Sequence, residues 1–204
     1  MMNYTEDPAT LQKVRRELEG LRSMNSTTCD GMPFPNACKR LLRSIGGNSC
    51  CVDCGNHDND WASVTYGVLL CVRCSGRHRS YGVATSRVRS ISMDNWSYSQ
   101  VLAMLEGGNE QLHNFYDRHD MGDNKSGVFD RRYQTKAAKF YRKNMESHVS
   151  KIGQIGIWKG RAASRKAAKL TKTNHHHHHH HHNNKPTKPV ADNQTATHRQ
   201  VTVQ

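Results

Sequence analysis

Residues 51–74 read CVDCGNHDNDWASVTYGVLLCVRC, in which two Cys-x-x-Cys turns are separated by 16 residues. Each turn brings two sulfur atoms together, and a second pair completes the tetrahedral thiolate site that zinc prefers, with Zn–S distances of about 2.3 Å. The spacing therefore predicts one Zn²⁺ bound by four thiolates: Cys51, Cys54, Cys71 and Cys74. Because four protein ligands leave no open coordination position, we expect this metal to be structural.

Other cysteine chemistry accounts less well for this pattern. A redox motif needs only one pair, and an iron–sulfur cluster is the remaining alternative for four thiolates. Cys50 competes with Cys51 as a ligand, but only Cys51 has the two-residue spacing to Cys54. Cys29 and Cys38 have no nearby partner. We predict that these two and Cys50 are free or buried thiols.

Two helices are predicted before the cysteines. The first covers 8–23, where Asp7 can cap the first turn. Its apolar residues recur at helical spacing and fall on one face: Leu11, Val14, Leu18 and Leu21. Asn36 can cap the second helix, which we expect to end near Ile45.

Short strands and further helices are predicted from the cysteines onward. Strands are expected at 64–66 and 68–70, joined at Gly67, and another over 87–93 with Ile91 and Met93 on one side. Helices are expected at 75–81 and at 98–106. A third is expected to begin at Asn109, which can cap it, and a fourth after Thr135. This order predicts an α+β fold, with a small zinc-supported β-sheet surrounded by helices.

The composition indicates an anionic partner. The 204 residues carry a net charge of +13, with a sequence pI near 9.7 and a mean hydropathy of −0.85. Between 126 and 172, 13 Lys/Arg stand against two acidic residues, which is 13 − 2 = +11. Such a field suits phospholipid, nucleic acid or an acidic protein face, or it is a solubilising surface. No apolar run approaches the roughly 18 residues of a membrane span, and no secretory leader is evident, so we expect a cytoplasmic protein.

The sequence suggests three regions. Residues 1–35 are predicted to form an N-terminal helix and loop, 36–148 the zinc domain, and 149–204 a basic linker and a His/Asn-rich disordered tail. Eight consecutive histidines occupy 175–182. In 150–172 a tryptophan, Trp158, joins a set of basic residues, which suits either contact with an anionic membrane surface or a flexible basic linker.

Several motifs together resemble one family. The pattern Cys-x2-Cys-x16-Cys-x2-Cys-x4-Arg is followed by VRSISMDNW at 88–96, MLEGGNEQLHNFYD at 104–117 and RRYQTKAAKFYRKNM at 131–145. In this order they resemble the Arf GTPase-activating protein (ArfGAP) zinc-finger domain, and WASVTYG, CSGRHR and the GGN turn are most similar to its Golgi-type subgroup. The resemblance covers residues 36–146.

The resemblance implies a GTPase activator that acts in trans and is not itself an enzyme. Its partner would be an Arf-family GTPase in the GTP-bound form, and its place the Golgi or other vesicle membranes, where it would regulate vesicle traffic. Arg79 is implied to be an arginine finger. Trp61 is implied to lie beside it on the active face, and core packing is the alternative role for this ring. Asp94 and Asn109 match family positions and are expected to cap helices, with GTPase contact as the alternative, and His78 is expected to be a packing residue.

Two departures and two rival functions bear on this expectation. The family usually has leucine where Tyr81 stands and histidine where Ala84 stands, which affects partner choice. A catalytically inactive ArfGAP-like interaction module would keep the same fold. A DNA-binding zinc finger is a further alternative, but the spacer is 16 residues and the basic excess lies far from the cysteines, so no nucleic-acid partner is expected.

Overall fold

The computed structural model describes residues 7–24, 31–121 and 129–166. The elements follow the order α1 (Pro8–Met24), β1 (Met32–Pro33), α2 (Asn36–Ser44), β2 (Trp61–Ser63), β3 (Val68–Leu70), α3 (Val72–Ser80), β4 (Val88–Ser90), β5 (Asn95–Trp96), α4 (Tyr98–Glu106), α5 (Asn109–Asp117), α6 (Phe129–Arg132) and α7 (Lys136–Ile155). A short helix follows at 161–166. Cys29 and the predicted tail with its histidine run lie outside the described residues.

Two small antiparallel sheets lie among these helices. One has the order β3-β2-β4, with Trp61 opposite both Leu70 and Ser90, and the other pairs β1 with β5. The four cysteines cluster beside the three-stranded sheet. The predicted α+β class, with helices around a small sheet and a cysteine cluster, is confirmed.

The helices with the clearest apolar periodicity lie where the sequence predicts them. In α1 the predicted cap is present, since Asp7 Oδ2 accepts from the Thr10 backbone N–H at 3.0 Å. Three of its predicted core residues, Val14, Leu18 and Leu21, are buried. In α7 the Thr135 hydroxyl caps the first turn by accepting from the Ala138 N–H. Within the described ranges, none of the helices combines the length and hydropathy of a membrane span.

The strand predicted at 64–66 is wrong. The strand lies at 61–63, and 64–67 form the turn to β3, closed by hydrogen bonds from Tyr66 N to Ser63 O and from Gly67 N to Val64 O. Tyr66 is fully buried among aromatic rings and does not pair across the sheet. The strand predicted over 87–93 ends at Ser90, and a turn leaves Ile91 buried but Met93 71% exposed.

Three predicted helix caps are also wrong. Asn36 lies inside α2, and its cap function passes to Glu17 of α1, which accepts from the Ala37 and Cys38 N–H groups at 2.8–3.0 Å. Gly108 precedes α5, and the Asn109 side chain turns away to β3. Asp94 instead closes a turn by accepting from the Ser90 N–H at 2.7 Å. The Asn109 side chain thus bonds to a strand 40 residues away along the chain, and Asp94 bonds outside a helix.

The segment predicted as a linker packs on the folded domain. Helix α7 runs through residue 149 to Ile155, and Trp158 is only 2% exposed. Its indole Nε1–H donates to Glu106 Oε1 at 2.6 Å, while Arg15 Nε donates to the Trp158 carbonyl at 2.9 Å. Arg165 Nη2 donates to the Glu106 carbonyl at 2.9 Å. The predicted membrane contact through Trp158 is therefore corrected, because its ring is buried and bonded within the protein.

Candidate metal centre and the arginine beside it

Four cysteine sulfurs converge where β3 meets α3. The thiol groups of Cys51, Cys54, Cys71 and Cys74 all lie within 4.8 Å of one another, and the Cys54 and Cys71 sulfurs are 3.5 Å apart. We call the two Cys-x-x-Cys turns, at 51–54 and 71–74, the first and second knuckle. In the second, Cys71 Sγ accepts from the Cys74 N–H at 3.4 Å, so Cys71 also caps α3. This explains why α3 begins at Val72, three residues before the predicted start.

This donor set fits a zinc ion. Four tetrahedral ligands at about 2.3 Å from a metal are separated by about 3.8 Å, close to the spacing of these sulfurs. Burial raises the pKa of Cys51 to about 11 and raises that of Cys74 further. Buried thiolates need a compensating cation, which a divalent metal supplies. The four cysteines would hold one Zn²⁺, and its chemical contribution is to cross-link the two knuckles. Cys50 is not part of the cluster.

Asn109 ties the first knuckle to the sheet and to α5. Its Oδ1 accepts from the Leu69 N–H at 2.8 Å, and its Nδ2 donates to the Cys50 carbonyl at 2.6 Å. Its own backbone N–H donates to Asn48 Oδ1 at 2.9 Å. The residue is 2% exposed, so it orients the metal centre from inside the core.

Arg79 lies on the exposed side of α3, one turn beyond the second knuckle. Its guanidinium carbon is 4.4 Å from the centre of the Trp61 ring, a cation–π arrangement, and Nη1 donates to Ser75 Oγ at 3.5 Å. No carboxylate of the described residues forms a salt bridge with Arg79. Arg73 and Arg77 are also exposed on α3, but neither has a ring contact with Trp61. The structure thus brings Arg79 and Trp61 together.

His78 faces the opposite way from Arg79 and is fully buried. Its Nε2 lies 3.0 Å from Asp53 Oδ2 and its Nδ1 lies 2.7 Å from Ser86 Oγ. Its ring packs against Tyr133, with centroids 4.4 Å apart, and against Tyr81 at 5.4 Å. The predicted packing role is correct, but His78 is also the centre of a polar network.

Asp53 and Arg132 belong to this network and were missed in the sequence. Arg132 donates to Asp53 Oδ1, and the Tyr133 hydroxyl donates to the same oxygen at 2.6 Å. Burial acts to raise the pKa of Asp53, but the hydrogen bond from His78 and the charge of Arg132 outweigh it and hold that pKa well below its usual range. The position of Asp53 inside the first knuckle is the one local signal that could have indicated it.

The two departures from the family pattern occupy different environments. Tyr81 is half-buried and stacks on Tyr133, with centroids 5.7 Å apart. Ala84 is exposed on the loop after α3. A change at position 84 therefore alters an accessible surface, whereas Tyr81 contributes to packing below the Arg79 helix.

Comparisons with known proteins agree with this geometry. Residues 36–151 match the ArfGap family, described as "Putative GTPase activating protein for Arf". The chain is 42% identical to ADP-ribosylation factor GTPase-activating protein 3 of Pongo abelii over 112 residues, which is 54% of this chain and 21% of the relative. It is 47% identical over 76 residues to human Arf-GAP with coiled-coil, ANK repeat and PH domain-containing protein 3, covering 37% of this chain and 9% of that protein. The chain thus spans at most about a fifth of these relatives.

A solved structure supports the same assignment. The crystal structure of a putative GTPase activating protein for ADP ribosylation factor from Cryptosporidium parvum is 26% identical, with a TM-score of 0.51, and the match covers 57% of this chain and 96% of that one. The matches to the activating protein 3 sequences agree with the predicted subgroup. Because the family match covers more than half of the sequence and includes all four cysteines and Arg79, the chain belongs to the ArfGap family.

Proposed function

We propose that this protein activates an Arf-type GTPase by inserting Arg79 into the nucleotide site. The observation that carries the proposal is the placement of Arg79: an exposed guanidinium over Trp61, on a helix that begins at a zinc knuckle. The names of the matched relatives, which refer to ADP-ribosylation factor, support the choice of partner.

The chemistry of phosphoryl transfer explains why an arginine suits this position. Negative charge is spread over the phosphate oxygens in the transition state, and a planar guanidinium can donate two parallel hydrogen bonds to them. An arginine supplied in trans is worth about 10³–10⁵ in rate. The zinc knuckle and the Trp61 ring limit the motion of the α3 backbone and the side chain before the GTPase binds, so less freedom is lost on docking.

Single-turnover hydrolysis tests the proposal. An Arf GTPase loaded with radiolabelled GTP is mixed with saturating protein, and wild type is compared with Arg79→Lys, Arg79→Ala and the matched control Arg77→Lys. We expect both Arg79 variants to lose most of the activation with folding and zinc content unchanged, and Arg77→Lys to retain it. Near-wild-type activation by Arg79→Lys would overturn the finger assignment. An absence of activation by the wild-type protein would favour the inactive interaction module.

The place of action follows from the partner. We propose that the protein works from the cytoplasm at Golgi or other vesicle membranes, supported by its resemblance to the Golgi-type subgroup. Fluorescence microscopy of the labelled protein against a Golgi marker tests this. A uniform distribution that does not change when an Arf GTPase is held in its GTP-bound form would contradict it.

A further inference from the structure

A chain of buried polar side chains links α3, which carries Arg79, to β2. It runs from Asp53 in the first knuckle through His78 on α3 and Ser86 in the following loop to Ser63 on β2. The three successive contacts measure 3.0, 2.7 and 2.7 Å. His78 and Ser63 are fully buried, and Ser86 is 2% exposed. No solvent separates the members of this chain.

One assignment of donors and acceptors provides every member of the chain with a hydrogen-bond partner. The Ser63 hydroxyl donates to Ser86, the Ser86 hydroxyl donates to His78 Nδ1, and His78 Nε2–H donates to Asp53 Oδ2. The other carboxylate oxygen of Asp53 accepts from Arg132 and Tyr133. The carboxylate is therefore fixed at both ends, and it fixes the histidine ring in turn.

The chain connects the backbones that carry Arg79 and Trp61. His78 directly precedes Arg79 on α3, and Ser63 lies two residues after Trp61 on β2. Rotation of α3 about its axis would separate the Arg79 guanidinium from the Trp61 ring. We propose that Asp53, His78, Ser86 and Ser63 form a positioning network that sets the rotation of α3 and hence the direction of Arg79. This inference rests on the proposed function, because it assigns the network to the same reaction.

The size of the effect follows from helix geometry. A group at about 6 Å from a helix axis moves by about 1 Å when the helix rotates by about 10°. A misplacement of about 1 Å can cost a catalytic group as much as about 10²-fold in rate. Apolar packing against Tyr133 alone permits such a small rotation, whereas hydrogen bonds to opposite sides of the His78 ring resist it.

The test compares the loss of two buried hydroxyls from one core. Ser86→Ala removes the link between His78 and Ser63. Tyr141→Phe is the matched control, since the buried Tyr141 hydroxyl accepts from Gln111 and donates to the Tyr66 carbonyl, neither of which belongs to the network. His78→Gln is a second variant, which keeps an N–H donor toward Asp53 but loses the acceptor for Ser86. Each protein is the full 204-residue chain labelled with 5-fluorotryptophan, with the Trp61 ¹⁹F resonance assigned by Trp61→Phe.

We expect Ser86→Ala and His78→Gln to lower kcat about tenfold, with the half-saturating concentration for the GTPase within twofold of wild type. The Trp61 resonance should shift in the direction produced by Arg79→Lys. Tyr141→Phe should change neither kcat nor the Trp61 resonance, even if its melting temperature falls as far as that of Ser86→Ala. Zinc content is measured for every sample.

Three results would overturn the inference. The first is an unchanged kcat and an unchanged Trp61 resonance in folded Ser86→Ala and His78→Gln. The second is an equal loss of kcat in Tyr141→Phe. The third is failure of both network variants to fold, which would show that the network contributes to stability only. Failure of the proposed function is distinguishable. It would leave Arg79→Lys fully active, while the Trp61 resonance would still report whether Ser86 controls the stack.

Discussion

The guanidinium carbon of Arg79 lies 4.4 Å from the centre of the Trp61 indole ring. This contact joins α3 to β2, and the buried network joins the same two elements through Ser86. A cation held over an aromatic face is attracted to it, and this attraction favours one orientation of the arginine side chain.

Replacing Trp61 by alanine should reduce GTPase activation through loss of this contact. A cation–π interaction at a partly exposed site is worth about 0.5–1 kcal/mol, which corresponds to about a two- to fivefold loss of kcat. Trp61→Phe should lose less, because a face for the cation remains. Single-turnover hydrolysis measures both, and an Arg79→Lys background provides the control, in which Trp61→Ala should have little further effect.

The metal content should distinguish Cys50 from Cys51. Cys51→Ser should abolish stoichiometric zinc and unfold the domain, since metal binding and folding are coupled. Cys50→Ser should retain one zinc per chain and the wild-type melting curve, because its sulfur lies outside the cluster. Elemental analysis and circular dichroism check this, with residues 175–182 changed to serine in all samples. Retention of zinc by Cys51→Ser would contradict the ligand assignment.

Loss of the Trp158 side chain should destabilise the domain. Its ring is 2% exposed and donates to the buried carboxylate of Glu106, so Trp158→Ala should lower the free energy of unfolding by about 3–5 kcal/mol. The neighbouring Ile157 is 57% exposed, and Ile157→Ala should change stability by less than about 0.5 kcal/mol. Urea denaturation measures both variants. Equal stabilities would show that the 156–166 segment does not pack in solution.

Glu17 should stabilise α2 from a distance. Its carboxylate accepts from two N–H groups at the positive end of the helix dipole, so Glu17→Ala should cost about 1–2 kcal/mol. Glu19→Ala is the matched control on the same helix, because Glu19 is exposed. Thermal melting of the two variants gives the comparison. If both melt at the same temperature, the Glu17 cap contributes nothing to stability.

Local patterns in the sequence predicted a large part of the fold. The metal site is predictable because the Cys-x-x-Cys spacing along the sequence is what brings each pair of sulfurs together. The helices α1, α4 and α7 are predictable because their apolar residues recur at helical spacing between recognisable ends. These features involve neighbours along the chain, so a linear pattern contains them.

The features that the sequence did not reveal depend on distant partners. Arg132 and Asp53 are 79 residues apart, and Trp158 and Glu106 are 52 apart. Glu17 caps a helix that begins about 20 residues later. Short polar residues such as Asn36 and Asn109 are typical caps, but Glu17 supplies the cap of α2, and the Asn109 side chain bonds to the Leu69 N–H in the core. No local rule ranks such partners.

The bond from Arg15 to the Trp158 carbonyl joins residues 143 positions apart. Since the entropy cost of closing a loop grows as (3/2)RT ln n, this closure costs about 1.7 kcal/mol more than the 20-residue closure between Glu17 and Ala37. High sequence separation also slows contact formation. The cysteine cluster and the α1–α2 pair can therefore assemble first, and the contact between Arg15 and Trp158 should be among the last to form when the chain folds.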